Sequence, residues 1–175
     1  MEIIEPKTAT ELDGVRQLLR EFVEWHRLTH ADDIDLIDRY FDQEAFEHEL
    51  ADLPGDYGPP GGKLLLAKMD GEPAGCVALH DLGNGECEMK RMFVPERYRG
   101  RGLGLGLGTA IVGAGKRLGY RRMRLDTSHR QEAAMGLYTR LGFKRTPPYY
   151  ELSPELRSWL VFFAYEYHVP TADDN

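Results

Sequence analysis

A short segment of alternating arginine and glycine carries the clearest chemical signal in the chain. It is the run Arg97-Tyr98-Arg99-Gly100-Arg101-Gly102-Leu103-Gly104, which follows a predicted strand ending near Val94 and opens a predicted helix. Backbone N–H groups at a helix start have no intrahelical partners and carry the positive end of the helix dipole. Glycines let a ligand approach those groups closely. The segment therefore predicts a site for a phosphate or pyrophosphate.

Two nucleotide-binding motifs that use glycine-rich segments do not fit this region. The dinucleotide pattern G-x-G-x-x-G requires a third glycine, where the chain has Leu107 or Thr109. The P-loop pattern requires Ser or Thr after Gly-Lys, but Arg117 follows Gly115-Lys116, and Ala110 stands at its first glycine. NAD and ATP are therefore disfavoured as ligands.

The pattern that fits is Arg99-x-x-Gly102-x-Gly104, which resembles the acetyl-CoA motif R/Q-x-x-G-x-G/A of the GNAT N-acetyltransferases. The preceding strand, Met89 to Val94, also resembles that family. So does the run Ala134-x-x-Leu137-Tyr138-x-x-Leu141-Gly142-Phe143, which is similar to A-x-x-L-Y-x-x-x-G-F. The resemblance implies a mixed α/β fold, with a mostly antiparallel central sheet flanked by helices, in one domain over residues 1–175. It also implies acetyl-CoA as co-substrate and no metal.

The resemblance assigns a coenzyme A site residue by residue. The CoA pyrophosphate is expected on the backbone amides of Arg99, Gly100, Arg101, Gly102, Leu103 and Gly104. The pantetheine arm is expected along the end of the fourth strand, at Met92, Phe93 and Val94. Gln131 stands where many family members have an asparagine that hydrogen-bonds pantetheine. The N–H of Val94 is the implied donor that polarises the acetyl carbonyl.

Two further catalytic residues, Tyr138 and Glu88, are implied by the resemblance. Tyr138 matches the tyrosine that donates a proton to the departing CoA thiolate, and a phenol with a pKa of about 10 stays protonated at neutral pH. Glu88 matches a glutamate that assists loss of a proton from the acceptor ammonium. A free glutamate has a pKa of about 4.3, so this role requires burial that raises the pKa or a water that relays the proton. The alternatives are a core tyrosine and a surface glutamate or partner of Lys90.

These residues must be positioned by strands and helices that the sequence predicts. Ile3-Ile4 indicates a first strand, and Thr8 or Thr10 the cap of a first helix. The buried face of that helix is predicted as Leu12, Val15, Leu19, Phe22 and His26. A second helix is predicted after Asp32-Asp33, with its face formed by Ile34, Ile37, Phe41, Phe46 and Leu50. A loop follows from Pro54 to Gly62.

Strands and helices alternate in the rest of the predicted fold. The predicted strands are residues 63–69, 73–80, 86–94, 122–126, 143–145 and 159–167. The helix that opens near Gly104 is predicted to end at Gly119. Its buried face is predicted as Leu103, Leu107, Ala110, Ile111, Ala114 and Leu118. A short helix from Ala134 ends at Gly142, and the connection through Pro147-Pro148 and Ser153-Pro154 is predicted to be irregular.

Composition narrows the function classes. The net charge of −7 argues against general affinity for nucleic acid. No stretch approaches the roughly 18 apolar residues of a membrane-spanning helix, and the first residues do not resemble a signal peptide. Cys76 and Cys87 are too few for a disulfide scaffold, so we expect a cytoplasmic protein. His26 and His30 are expected to be core or surface residues rather than metal ligands.

Charge is unevenly distributed along the chain. Residues 1–60 hold 16 of the 29 acids and 5 of the 22 bases, whereas residues 85–125 hold 10 bases and 3 acids. This asymmetry predicts one part that favours an anion and another, including Asp32, Asp33, Asp35 and Asp38, that favours a cationic acceptor. Scattered solvated charge is the alternative. The loop from Leu53 to Gly62 is predicted to help shape the acceptor site.

The sequence therefore predicts an enzyme that moves acetyl from acetyl-CoA to a primary amine by direct attack in a ternary complex. The acceptor is a small molecule or a peptide, and no nucleic acid or membrane partner is expected. A non-catalytic acyl-CoA sensor on the same fold and a nucleotide-binding regulator are the alternatives. The resemblance makes a homodimer a candidate assembly.

Overall fold

In the described part of the chain, seven strands form one sheet. The structure is a computed structural model that describes residues 1–167. The strands are β1 (Glu2–Ile4), β2 (Lys63–Met69), β3 (Glu72–Gly83), β4 (Glu86–Phe93), β5 (Arg122–Ser128), β6 (Lys144–Thr146) and β7 (Leu160–Glu166). Their order across the sheet is β1-β2-β3-β4-β5-β7-β6. Strands β4 and β5 are parallel and the other neighbouring pairs are antiparallel, so the predicted fold class is confirmed.

Helices cover both faces of this sheet. They are α1 (Ala9–Thr29), α2 (Ile34–Tyr40), α3 (Gln43–Asp52), α4 (Leu103–Arg117), α5 (Glu132–Leu141) and α6 (Pro154–Trp159). Helices α1 to α3 pack on one face, against side chains such as Leu64 and Leu66. Helices α4 and α5 pack on the other, against Leu65 and Ala67. Over residues 1–167, no helix combines the length and apolar character needed to cross a bilayer.

Helix α1 begins and buries its face as predicted. Thr8 accepts a hydrogen bond from the Glu11 N–H at 3.2 Å, and the Glu11 carboxylate accepts one from the Thr8 N–H at 3.1 Å. This reciprocal pair is a capping box, which satisfies two N–H groups at the helix start. Val15, Leu19 and Phe22 are buried along the predicted face.

The predicted second helix is wrong as one element, because the chain breaks it into α2 and α3. Helix α2 ends before Phe41, and Asp42 then caps α3 by accepting a hydrogen bond from the Ala45 N–H at 2.9 Å. Ile37, Phe41 and the later apolar residues of the stripe, Phe46 and Leu50, are all buried. Ile34, predicted on the same face, is 39% exposed, so the buried stripe begins at Ile37. The capping aspartate sets the boundary between the two helices.

Two smaller predictions about helices are also corrected. The connection predicted to be irregular contains α6, because Ser153 caps it and Pro154 fits its first turn. Leu118 lies beyond the end of α4 and is 38% exposed, so it does not belong to the buried face of that helix.

Close packing explains two of the five glycines inside α4. A Cβ atom added at Gly108 would lie 2.5 Å from the side chain of Leu141. One added at Gly115 would lie 2.2 Å from the hydroxyl of Tyr167. The helix therefore packs closely against α5 and the end of the sheet, and a larger residue at either position would displace the side chain of Leu141 or Tyr167.

Strand β4 bends and separates from β5 partway along its length. The two strands pair only where Glu86 to Glu88 faces Arg122 to Arg124. On the other side of β4, the register with β3 shifts by one residue between Lys90 and Phe93, which is a β-bulge. Arg91 lies in this bulge with a positive φ of 57°. Because a bulge bends its strand, the last residues of β4 turn away from β5 and a gap opens between the two strands.

Candidate active site

A small cavity lies in the gap between β4 and β5. Its volume is about 50 Å³, and its walls come from both strands and from α1, α2, α5 and α6. Four of the predicted site residues line it, namely Glu88, Met92, Gln131 and Tyr138. We call this space the central cavity. The bulge and the separation of the strands thus bring together these four side chains, of which Glu88 and Tyr138 are 50 positions apart in the sequence.

A larger groove leads from the central cavity toward the start of α4. This α4-side groove has a volume of about 580 Å³ and shares Phe22, Met92, Gln131 and Tyr138 with the central cavity. The groove is also lined by Phe93, Val94, Arg99 and Gly104, which are predicted coenzyme A contacts. Its outer wall includes Trp25, His30, Arg130 and Leu137.

The start of α4 has the geometry of an anion site. Gly102 is the N-cap with a positive φ of 82°, and Gly100 also has a positive φ, of 74°. These conformations suit glycine and turn the chain sharply into the helix. The first helical N–H groups at Leu103 and Gly104 precede any intrahelical acceptor. The side chain of Leu103 itself is buried in the core, so only its backbone is available to a ligand.

The three arginines of this segment do not contribute equally to its charge. Arg97 forms a two-pronged ion pair with Glu21 of α1. Arg99 donates from Nε to the Val94 carbonyl at 3.0 Å, and its guanidinium lies 4.5 Å from the centroid of the Trp25 ring. Arg101 is exposed and has no carboxylate within ion-pair distance among residues 1–167. Arg101 is therefore the side chain best placed to add charge beside the helix start.

Glu88 is buried and held by three side chains. Its Oε2 atom lies 2.6 Å from His80 Nε2 and 3.5 Å from Lys90 Nζ, and its Oε1 atom accepts a hydrogen bond from the Tyr149 hydroxyl at 2.6 Å. Burial raises the pKa of Glu88, but these hydrogen bonds and the Lys90 charge outweigh burial and lower the pKa to about 2. The alternative of a surface glutamate is wrong, whereas the contact with Lys90 is confirmed. The net result of all these contacts is that Glu88 is a weaker base than a free glutamate.

Tyr138 lies where the central cavity meets the α4-side groove. Its side chain is 6% exposed and packs with Phe143 and Phe163. Burial raises the pKa of Tyr138, and the charge of Asp126 adds to that rise. The phenol is therefore protonated at neutral pH. Within residues 1–167 its hydroxyl makes no hydrogen bond, which leaves the proton available to a group in the cavity.

The chain matches a family model described as "Acetyltransferase (GNAT) family" over residues 16–143. The chain belongs to the GNAT acetyltransferase family. A protein of Schizosaccharomyces pombe, described as an uncharacterized N-acetyltransferase, is 38% identical over 146 residues, which cover 82% of this chain and 83% of that protein. The predicted family and enzyme class, a GNAT-type N-acetyltransferase, are confirmed.

Solved structures agree with the GNAT fold. The PaiA N-acetyltransferase of Thermoplasma acidophilum in complex with coenzyme A has a TM-score of 0.69 at 16% identity, covering 95% of this chain and 98% of that chain. An acetyltransferase of the GNAT family from Staphylococcus aureus has a TM-score of 0.72 at 19% identity, covering 94% of this chain and 98% of that chain.

Gln131 and His26 form a contact in this acetyltransferase that sequence reasoning missed. The side-chain amide nitrogen of Gln131 lies 3.0 Å from Nε2 of His26. Burial lowers the pKa of His26 to about 4, so the ring is neutral and accepts this hydrogen bond. His26 is a core residue as expected, but it lines the central cavity, and its Nδ1 atom has no partner within residues 1–167.

A second groove opens on the opposite side of the central cavity. Its volume is about 600 Å³, and it shares Tyr40, Glu88, Lys90, Arg91 and Asp126 with the central cavity. We call it the tyrosine groove, after Tyr40, Tyr149 and Tyr150 in its walls. Asp126 was not recognised as a site residue from the sequence. The one available signal was an acidic residue at the last position of a predicted strand.

The acidic residues expected to recognise a cation lie elsewhere. Asp33 is paired with Arg130 and accepts a hydrogen bond from the Trp159 indole, and Asp38 is paired with Arg27. Asp32 and Asp35 are exposed and line neither the central cavity nor the tyrosine groove. None of these four residues lines the central cavity or the tyrosine groove, and the cationic acceptor stays a prediction. The loop residues from Pro54 to Tyr57 line a separate open cavity of about 690 Å³ beside Glu49 and His80.

Proposed function

We propose that this acetyltransferase transfers the acetyl group of acetyl-CoA to a primary amine by direct attack in a ternary complex. The observation that carries the proposal is one continuous path through the molecule. The α4-side groove reaches the central cavity at Tyr138, and the tyrosine groove reaches the same cavity at Glu88. Two substrates can therefore enter from opposite sides and meet between β4 and β5.

The α4-side groove is the proposed acetyl-CoA site. The pyrophosphate of acetyl-CoA would lie on the backbone amides of Arg99, Gly100, Arg101, Gly102, Leu103 and Gly104. Pantetheine would run past Met92, Phe93 and Val94, with the Val94 N–H directed at the thioester carbonyl. Gln131 would contact pantetheine from the junction of groove and cavity. The coenzyme A complex of the similar PaiA structure supports this choice of ligand.

The chemistry assigns different tasks to Glu88 and Tyr138. An acceptor amine is protonated at neutral pH and must lose a proton before its nitrogen attacks the thioester carbon. Glu88 has too low a pKa to keep that proton, so we assign it to orienting a water that takes the proton to solvent. As the carbon–sulfur bond breaks, Tyr138 gives its proton to the thiolate, and the second proton lost by the acceptor nitrogen returns through water to the phenol.

The rest of the proposal concerns the whole chain. We propose that residues 1–175 form one catalytic domain that needs no metal. A cytoplasmic location and a homodimer stay predictions. The acceptor is an amine that carries positive charge when it enters, because Glu88 and Asp126 place two carboxyl groups at the inner end of the tyrosine groove.

The experiment that tests this function is acetyl transfer to a panel of amines, amino acids and basic peptides, measured by mass spectrometry. The double variant Glu88→Gln, Tyr138→Phe should keep its affinity for acetyl-CoA and lose turnover. A non-catalytic acyl-CoA sensor would give no acetylated product with wild-type protein and unchanged ligand binding in the variant. Preference for neutral or acidic acceptors would contradict the proposed cationic acceptor.

A further inference from the structure

We propose that Asp126 binds the ammonium group of the acceptor, and that the acceptor is an amine with a single positive charge on a compact apolar or aromatic body. This inference rests on the proposed function, because it concerns the second substrate of the same transfer. It adds a residue and a substrate class to a site otherwise defined by Glu88 and Tyr138.

The position of Asp126 in the sheet directs it to the acceptor side of the molecule. It lies on β5 two residues beyond Arg124, the last residue of β5 that pairs with β4. Its partly buried carboxyl group lines both the central cavity and the tyrosine groove. An acceptor nitrogen that passes from the groove to the thioester must therefore pass this carboxyl group.

The hydrogen bonds of Asp126 come from neutral donors. Tyr40 donates its hydroxyl to Oδ1 at 2.6 Å, and Tyr150 donates to Oδ2 at 2.9 Å. A carboxylate offers about four lone-pair directions, so two are left for another donor. No Lys, Arg or His among residues 1–167 lies within ion-pair distance of Asp126.

The other acidic side chains of the groove already have positively charged or histidine partners. Glu86 is paired with Arg122 and Arg124, and Glu88 contacts His80 and Lys90. Asp126 is thus the lining carboxyl group that still lacks a counterion within the described chain. Because a charge removed from water is costly without a partner, a bound ammonium would stabilise ionised Asp126.

The walls of the groove indicate what carries this ammonium. Tyr40, Tyr149 and Tyr150 provide aromatic surface, and Leu82, Leu152 and Leu156 provide aliphatic surface. A compact apolar or aromatic body would bury its surface there, and a cation beside tyrosine rings gains further attraction.

The positive side chains of the groove limit the acceptor to one charge. Arg39 and Lys90 line the same groove as the tyrosines. Together with Arg91 and Arg124 they make four basic side chains, against three acidic ones, in the lining. Once one ammonium has bound Asp126, a second would meet this excess of positive charge, so polyamines and lysine-rich peptides fit the groove poorly.

The test compares two probes that differ in charge, phenethylamine and phenethyl alcohol, together with spermidine as a polyamine. Binding is measured by calorimetry on the protein saturated with coenzyme A. Wild-type protein should bind phenethylamine more tightly than either other probe. Asp126→Asn should weaken phenethylamine binding roughly 10- to 100-fold, as expected for loss of a hydrogen bond to a charged group, and leave phenethyl alcohol binding unchanged.

Two controls separate recognition from structural support. Asp38→Asn makes the same chemical change at an exposed helix position and should alter neither probe. Tyr150→Phe removes one neutral donor from Asp126 but keeps the carboxyl group, so the preference for phenethylamine over the alcohol should persist. If Asp126 only ties helix α2 to the sheet through Tyr40, its variant would weaken both probes equally.

The possible failures are distinguishable. Three results would each overturn this inference. They are an Asp126→Asn variant that keeps the preference for the amine, wild-type protein that binds amine and alcohol equally, and wild-type protein that binds spermidine more tightly than phenethylamine. If acetyl transfer to amines still occurs in those cases, the proposed function stands. If the wild-type protein does not bind coenzyme A or acetylate any amine, the proposed function itself fails.

Discussion

Single residues in this site show how surroundings, more than residue type, decide chemistry. Glu88 and Asp126 are two carboxyl groups that line one cavity, yet their pKa values move in opposite directions. Burial acts on both, but Glu88 also has His80 and Lys90 beside it, so its pKa falls to about 2. Burial raises the pKa of Asp126, which has only tyrosine donors, and hydrogen bonds from these do not reverse that rise.

The lowered pKa of Glu88 predicts a pH-dependent contribution to stability. A carboxyl group with a pKa of about 2 in the folded state and 4.5 as its ordinary value stabilises the fold above pH 4.5, and this is lost as pH falls toward 2. The stability difference between wild type and Glu88→Gln, measured by urea unfolding, should be about 2 kcal/mol smaller near pH 3 than near pH 6. A difference that does not change with pH would contradict the lowered pKa.

Replacing Tyr138 by phenylalanine tests its role as proton donor. The variant removes one hydroxyl group from a well-packed ring, so folding should be retained. We expect kcat to fall about 100-fold or more, the usual contribution of a positioned acid, with little change in the KM for acetyl-CoA. Tyr165→Phe is a matched control, because Tyr165 packs against Phe143 and Tyr167 outside the cavities. Equal kcat values for the two variants would remove Tyr138 from the mechanism.

Sequence patterns identified some residues of the site and missed others for a physical reason. Tyr138, Gln131 and the segment after Val94 carry local patterns, because each sits at a fixed place on one helix or strand. Asp126 and His80 gain their roles from partners up to 86 positions away, which no local spacing reveals.

At the scale of elements, the start of α4 needs a glycine at position 102 because of its backbone conformation and not because a side chain would lack room. A Cβ atom added at Gly102 would meet no atom within 4 Å, yet the residue has a positive φ of 82°. A side chain there fits sterically with its neighbours but disfavours the backbone conformation that presents the helical N–H groups.

Gly102→Ala should therefore weaken coenzyme A binding about tenfold, measured by calorimetry, because the strain of roughly 1–2 kcal/mol is relieved by distorting the loop. Gly119→Ala is a close control. Gly119 also has a φ of 82° and open space around its Cβ position, but it follows the far end of α4. That variant should lose similar stability and keep its affinity for coenzyme A. An equal loss of affinity in both variants would mean that the effect is general destabilisation.

Elements with strong local signals were predictable, and boundaries set by single side chains were less so. Strand β2 has the predicted bounds. Thr8 caps the start of α1, and Gly142 caps the end of α5, as expected. The apolar stripe through Phe41 and Phe46 gave no sign of the break between α2 and α3. The bulge in β4 was also missed. Arg91 has a positive φ there and forms a two-pronged ion pair with Glu49, 42 positions away, which no local pattern indicates.

Across the whole molecule, many of the unevenly distributed charged residues form ion pairs between segments that are distant in the sequence. Acidic residues of the first third pair with basic residues of the middle, as in Glu21 with Arg97 and Glu49 with Arg91. These pairs attach α1 and α3 to the region around β4. The charge asymmetry therefore stabilises the arrangement of the helices on the sheet as well as biasing the ligand sites.

The fold should gain stability from the ligand that fits it. A ligand that binds only the folded state at about 100 times its Kd adds about 2.7 kcal/mol, which raises Tm by roughly 5 to 10 °C for a chain of this size. Coenzyme A should give such a shift in a thermal unfolding assay, whereas ATP and NAD should give much smaller ones. Equal shifts from all three compounds would indicate a general nucleotide site instead.

The separation of β4 from β5 also divides the sheet into two parts that share only a short run of main-chain pairing. Amide hydrogens on the open edge of β4, from Met89 to Phe93, have no strand on the β5 side to protect them. Their deuterium uptake should be fast in the free enzyme and slow once a pantetheine chain occupies that edge. The pantetheine chain of the co-substrate would then take the place of the strand that is missing beside this part of β4.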